Sequence, residues 1–172
     1  TIEPAAATVE TPAPVTVDAA ELDWPGYGTK ALGVVEMPEV FESRGTDDPR
    51  PLASITKLVT ALTVLDAHPL DRGADGPTIQ LDASDVAEYS RYLALNGKVL
   101  AVAAGQQYSL HELLQIVLIE SSNNHAASLA TWAFGSEAAF LDAAHAYLER
   151  QSLTSIHLED AAGIDPDNVG ST

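Results

Sequence analysis

The sequence predicts an α/β (α+β) fold in which a cluster of helices packs on an antiparallel sheet. Three observations predict it. Two strand-like runs, Lys30 to Met37 and Val40 to Arg44, lie side by side near the start of the folded part. Several segments with apolar residues at helical spacing follow them. Hydrophobic residues make up 46% of the 172 residues, enough for one well-packed domain.

Taken in order, residues 1–22 are rich in Pro, Ala, Thr and Glu and bury little, so they read as a linker or tether. The folded part is expected over residues 23–172, opening at Trp24-Pro25-Gly26. The two strands read as a hairpin, with its turn at Pro38-Glu39. Ser54 to about Ala67 is a helix closed by His68-Pro69. Asp71 to Gly76 is a loop and Thr78 to Leu81 a short extended stretch. Asp82 to Leu95 is helical, and Lys98 to Val102 is expected as a short strand. Ser109-Leu110-His111-Glu112 is a capping box that starts a helix ending near Glu120. A further helix runs from about Asn124 to Phe134 and stops at Gly135. Ser136 caps the next, Glu137 to about Leu153, with Ala139, Phe140, Ala143, Ala144, Tyr147 and Leu148 on one face. Thr154 to Leu158 is read as extended, and Asp160 to Asn168 as a loop. A two-stranded sheet is marginal alone, so the hairpin is expected to be completed by a further stretch of polypeptide.

Eight basic residues stand against 25 acidic ones, for a net charge of −17. Such a polyanion is repelled by nucleic acid and by anionic lipid, and nucleic acid is not expected as a partner. With no cysteine, disulfides and thiolate metal sites are excluded. No stretch approaches the roughly 20 apolar residues that span a bilayer.

The chemistry concentrates in two places. The first is Ser54 and Lys57, in Pro51-Leu52-Ala53-Ser54-Ile55-Thr56-Lys57-Leu58. Residues three apart on a helix share a face, with Cβ atoms about 5–6 Å apart. A serine hydroxyl is a poor nucleophile until a base takes its proton, and lysine is such a base only when desolvation or a nearby cation lowers its pKa. Leu52, Ile55, Leu58, Val59 and Leu62 are expected to supply that desolvation. The second place is Glu120-Ser121-Ser122-Asn123-Asn124-His125, a polar break between apolar helices. Alone, this stretch reads first as helix capping, since Ser and Asn favour helix ends. His111, His145 and His157 read as surface or helix residues. For His125 an ordinary surface or helix position and a cleft-lining one both stay open. No His-Glu-x-x-His or similar spacing occurs, and neither metal nor cofactor is expected.

Together, Ser54-Ile55-Thr56-Lys57 and Ser121-Ser122-Asn123 resemble the motifs of the penicillin-recognising serine hydrolases. The likeness is greatest to the D-alanyl-D-alanine carboxypeptidases among the low-molecular-weight penicillin-binding proteins. Gly105 to Leu114 carries it too, as does Asp160-Ala161-Ala162-Gly163-Ile164-Asp165-Pro166-Asp167-Asn168. That last stretch is similar to the family's Asp-x-Ser-Gly-Leu-x-Pro-x-Asn, with Ala162 in place of its Ser. The family's third motif, Lys-Thr-Gly, is absent; the lysines are Lys30, Lys57 and Lys98. The expectation is therefore the N-terminal and helical part of a longer domain, with a second piece of polypeptide completing the sheet. On its own the 172-residue chain is expected to acylate poorly.

The resemblance implies a β-lactamase/transpeptidase-like fold and an extracytoplasmic, envelope or secreted location in a bacterium. Its implied substrate is a peptidoglycan stem peptide ending in D-Ala-D-Ala, with β-lactam antibiotics acting at the same site. The implied catalytic residues are Ser54 as nucleophile, Lys57 as base and Ser121 as proton relay, with Asn123 binding the substrate. Rival readings are a catalytically incomplete penicillin-binding or wall-binding module, a β-lactamase, and a helical interaction domain with chance motifs. Against the β-lactamase, none of Glu137, Glu149 and Glu159 has Asn four residues later.

Overall fold

The computed structural model describes residues 22–45 and 48–171. The tether expected over residues 1–22 lies, except for Leu22, outside the described residues. Six short strands and five helices follow in the order β1 (Lys30–Val34), β2 (Met37–Arg44), β3 (Arg50–Pro51), a 3-10 turn (Ala53–Ile55), α1 (Thr56–Ala67), β4 (Thr78–Gln80), α2 (Ala83–Ala94), β5 (Gln107–Ser109), α3 (Leu110–Ile119), α4 (Asn123–Phe134), α5 (Glu137–Arg150) and β6 (Val169–Gly170). They form three antiparallel two-stranded sheets, β1–β2, β3–β6 and β4–β5.

The hairpin exists, but its turn is not at Pro38-Glu39. Val34 pairs with Met37, so Val35 and Glu36 form the loop, and Glu36 takes the positive φ (67°) such a tight turn demands. The pairing slips between Gly33 and Val34, facing the stretch that holds Pro38. A proline has no N–H to give, so it sits where the ladder is already broken. Leu32, Val34 and Phe41 remain exposed on this hairpin.

The expected strand at Lys98–Val102 is absent. Its backbone groups are taken by side chain and helix end instead: Leu100 bonds the Asn124 carboxamide through both N–H and C=O, and the Lys98 carbonyl accepts the Asn123 N–H. Strand β5 pairs in its place with β4, Gln107 facing Gln80. Helix α5 stops at Arg150, short of Leu153, with Ser152 turning the chain at φ 60°. Within Thr154–Leu158 only His157 pairs, bridging Val169.

The helix ends follow local chemistry. Ser109 accepts the Glu112 N–H and Glu112 reaches back to the Ser109 N–H, closing the expected box at α3. Asp82 and Asp85 do the same for α2. Gly135 ends α4 in the left-handed conformation, and Ser136 caps α5 by accepting the Ala139 N–H.

Helix α4 is the hub, in contact with α1, α2, α3 and α5. Every residue from Asn123 to Ala130 is buried. The small side chains of Ala126, Ala127, Ser128 and Ala130 let the neighbours approach closely. On one side Val64, Ile79, Leu81, Tyr92, Leu110, Leu113 and Val117 pack around Ala126 and Leu129. On the other, Val59, Phe140, Ala144, Leu148 and Leu158 pack around Ala130. Each fully buried Leu, Ile or Phe contributes about 1.5–3 kcal/mol. That packing fixes the N-terminus of α4 against the N-terminus of α1. None of the described helices is long and apolar enough to cross a membrane.

Candidate active site

Ser54 lies in the 3-10 turn ahead of α1, exposed, one residue after Ala53 at φ 47°. A left-handed conformation in a non-glycine residue is held only by its surroundings. Here the surroundings are tight. Pairing of Arg50 and Pro51 with Val169 and Gly170, and the Leu52 N–H on the Asn168 carbonyl (2.8 Å), pin the turn from below. Gly163, at φ 75°, lies so close to the Ala53 carbonyl that any Cβ there would overlap it.

Lys57 begins the first turn of α1, on the same face as Ser54, and is 1% exposed. Its Nζ donates three hydrogen bonds: to Ser54 Oγ at 3.1 Å, to Asn123 Oδ1 at 2.6 Å and to the Ala162 carbonyl at 2.6 Å. That satisfies the three donors of an ammonium. Burial is the main influence on its pKa and lowers it to about 8; the Asp160 carboxylate pushes it up, and the Lys98 ammonium pushes it down. Ser121 donates to Ser54 Oγ at 2.9 Å and itself sits at φ 55°. Ser54, Lys57, Ser121 and Asn123, distant in sequence, thus form one hydrogen-bonded cluster. A cleft of ≈340 Å³ opens over it, lined by Ser54, Ile55, Lys57, Leu58, Val117, Leu118 and Ser121.

The source of the desolvation differs from the expectation. Of the five apolar residues assigned to it, Ile55, Leu58 and Leu62 are 58%, 53% and 48% exposed. Spaced i, i+3 and i+7, they share one face at the start of α1, open to solvent, with Ile55 and Leu58 lining the cleft beside Lys57. Lys57 is covered instead by the Asn123 end of α4 and by the 160–165 loop.

Asp160 builds that loop. Its carboxylate, 4% exposed, accepts the backbone N–H groups of Ala162, Gly163, Ile164 and Asp165. The curl so formed turns the Ala162 carbonyl onto Lys57 and the Ala161 carbonyl onto Thr60 Oγ1 (2.7 Å). Asn168 closes the loop's base, accepting the N–H groups of Glu159 and Asp160 and donating to the Asp165 carbonyl. The sequence reading assigned no task to Asp160, Asn168, Thr60 or Gly163. A usable signal was present: an Asp three residues before a Gly, in a stretch of turn formers, is the pattern of a side chain that caps successive backbone N–H groups.

Asn123 uses its carboxamide oxygen on Lys57, and its Nδ2 packs against Gly97, where a Cβ would stand 2.5 Å away. His125 is fully buried, edge-on to the Tyr108 ring at 5.8 Å. Burial lowers its pKa, so it is neutral at pH 7. It is a helix residue of α4, buried rather than on the surface, and it does not line the cleft over Ser54.

The chain is similar to known proteins in sequence and in fold. The sequence pattern of the D-alanyl-D-alanine carboxypeptidase family matches residues 35–172. A D-alanyl-D-alanine endopeptidase of Pseudomonas aeruginosa is 32% identical over 134 residues, and one of Escherichia coli 31% identical over the same length; each alignment covers 77% of this chain. The chain spans 40% of the length of these two relatives. The crystal structure of a D-alanyl-D-alanine carboxypeptidase from Mycobacterium tuberculosis superposes with a TM-score of 0.61 at 25% identity, over 76% of this chain and 46% of that one. The hydroxyl–amine pair at the head of α1 and the Ser-x-Asn at the head of α4 therefore lie in a penicillin-binding-protein fold, and this chain belongs to the D-alanyl-D-alanine carboxypeptidase family of serine hydrolases.

Proposed function

We propose that the protein is a serine DD-peptidase that acts on peptidoglycan stem peptides ending in D-Ala-D-Ala, outside the cytoplasmic membrane, through an ester on Ser54. The observation that carries this is the contact between the buried Lys57 amine and the exposed Ser54 hydroxyl, 3.1 Å. A neutral amine at that distance takes the hydroxyl proton as Oγ attacks the carbonyl between the two terminal D-alanines. The Ser54 backbone N–H supports the developing oxyanion. Ser121, 2.9 Å from Ser54 Oγ, passes the proton on to the leaving amine, and D-alanine departs. Water then hydrolyses the ester, the proton returns by the same route, and the shortened peptide leaves. Asn123 steadies Lys57 through its oxygen and offers its amide edge to the substrate backbone. A β-lactam carries the same carbonyl in a ring, so its acyl group stays attached to Ser54.

A second specificity has support of its own: the two relatives above are named endopeptidases. On that reading the bond cut is the D-alanyl link of a cross-bridge, by the same steps. Fluorescent penicillin labelling of the polypeptide at its full natural length, followed by intact mass, tests the acyl-enzyme. The expected result is one adduct on the wild type and none on Ser54→Ala. A wild type that gains no β-lactam mass would favour a wall-binding module without chemistry. D-alanine released from a pentapeptide, against monomers released from a cross-linked dimer, then separates the two specificities.

A further inference from the structure

Behind the cleft is a set of buried polar groups to which the proposed chemistry gives no task. Ser122, Asn124 and His125 are 1%, 0% and 0% exposed. The Asn124 carboxamide meets Leu100 twice, Oδ1 accepting its N–H and Nδ2 donating to its C=O, both at 3.1 Å. Those two bonds fix which way the amide faces. Its Oδ1 then accepts the Ser122 hydroxyl at 2.8 Å. The hydroxyl has one proton, so at its other contact, His125 Nδ1 at 2.8 Å, it is the acceptor. His125 is thereby held as the Nδ1–H tautomer, with Nε2 buried and unpartnered. Between Ser122 and Asn124, the Asn123 N–H donates to the Lys98 carbonyl at 2.8 Å, and the Asn123 Nδ2 lies against Gly97.

We propose that Ser122, Asn124 and His125 are positioning residues that clamp segment 97–100 onto the first turn of α4, and through it seat the Asn123 carboxamide on the Lys57 amine. The inference rests on the acyl-transfer reading above. The clamp takes the place of a strand ladder: a carboxamide offers one donor and one acceptor in a plane, as a peptide group does. It gives segment 97–100 a fixed place without a neighbouring strand. That place sets two things at Lys57. Gly97 is a wall behind the Asn123 amide, and Lys98 brings a positive charge near the buried amine. The charged groups acting on Lys57 are Lys98 and Asp160.

Two variants test the proposal in the full-length protein. Gly97→Ala puts a methyl where Asn123 Nδ2 stands and leaves the buried triplet untouched. Asn124→Ala removes the clamp. Both should slow acylation of Ser54 by a β-lactam about 10- to 100-fold at pH 7, the scale of a misplacement of about 1 Å. Asn124→Ala should also move the pH at which acylation levels off upward, because Lys98 leaves and water reaches the amine. Ser122→Ala with Asn124→Ala should lose no more than the worse single variant, as for groups that act as one unit. Full-rate Gly97→Ala, or losses that multiply in the double variant, would overturn the proposal. Hydrogen exchange reads the clamp without activity. The Leu100 and Asn123 amides should lose protection in Asn124→Ala while Leu129, deeper in α4, keeps it; unchanged protection at Leu100 refutes the clamp. A wild type that is never acylated, together with this exchange pattern in Asn124→Ala, refutes the enzyme reading and the clamp's role in it, leaving only a structural fastening.

Discussion

Raising the pH from 7 to 9 should speed acylation of Ser54 about tenfold and then stop speeding it. The pKa of Lys57 falls from the ordinary 10.5 to about 8, chiefly by burial. That fall corresponds to about 3 kcal/mol against the charged amine. With a pKa of about 8, roughly 9% of the amine is neutral at pH 7 and roughly 91% at pH 9. An unperturbed lysine would be neutral in only about 0.03% of molecules at pH 7, so burial raises the fraction able to take a proton about 300-fold. The assay is the second-order rate of adduct formation with a fluorescent penicillin between about pH 6 and 10.5, with folding checked at each point. The expected curve climbs tenfold per unit at low pH, bends near pH 8 and is flat above about 9. A rate that keeps climbing past pH 10 would show an amine in open water and refute the desolvation argument. Stability gives the same group a second reading. A depressed lysine pKa means that between about pH 8 and 10.5 the unfolded chain holds a proton the folded one has released. Stability from this group therefore rises with pH across that window, and the full penalty is present below it.

Three further outcomes follow from the packing. Asp160→Ala strips the partner from four backbone N–H groups around a buried carboxylate; it should cost about 3–5 kcal/mol, read by urea unfolding, and slow acylation as the Ala162 carbonyl leaves Lys57. Gly163→Ala adds a methyl against the Ala53 carbonyl at a positive φ; it should lower the thermal midpoint and reduce penicillin labelling together, because the same turn carries Ser54. Leu113→Ala, in the fully buried core beside α4, should cost about 2–5 kcal/mol in the same urea titration, and a loss below about 1 kcal/mol would mean the core closes over the gap.

Much of the site was legible because it is local. Ser54 and Lys57 sit three apart at the start of an apolar helix, so helical geometry alone joins hydroxyl and amine. Ser109 and Glu112 announce the start of α3, and Gly135 with Ser136 marks the break before α5, since these caps act within a single turn. The Ser121-Ser122-Asn123 motif was visible as a pattern. Its place 66 residues from Lys57, against the amine rather than at a mere helix end, was not. The strand expected at Lys98–Val102 failed for a related reason. Its sequence is extended and apolar, but its backbone partner is the Asn124 side chain, and no local rule reports which polar group will take a loop's hydrogen bonds.

By itself the sequence determined the helical segments, their caps, the hydroxyl–amine spacing of Ser54 and Lys57 and the family, because each depends on residues within a turn or on a motif read in order. The tertiary structure decided what lowers the pKa of Lys57. The buried amine is held by Asn123 and Ala162, 66 and 105 residues further on, while Ile55, Leu58 and Leu62 of its own segment stay about half exposed. Periodicity says which side chains share a face; only the packing of α4 and the Asp160 loop against that face says which side is closed to water.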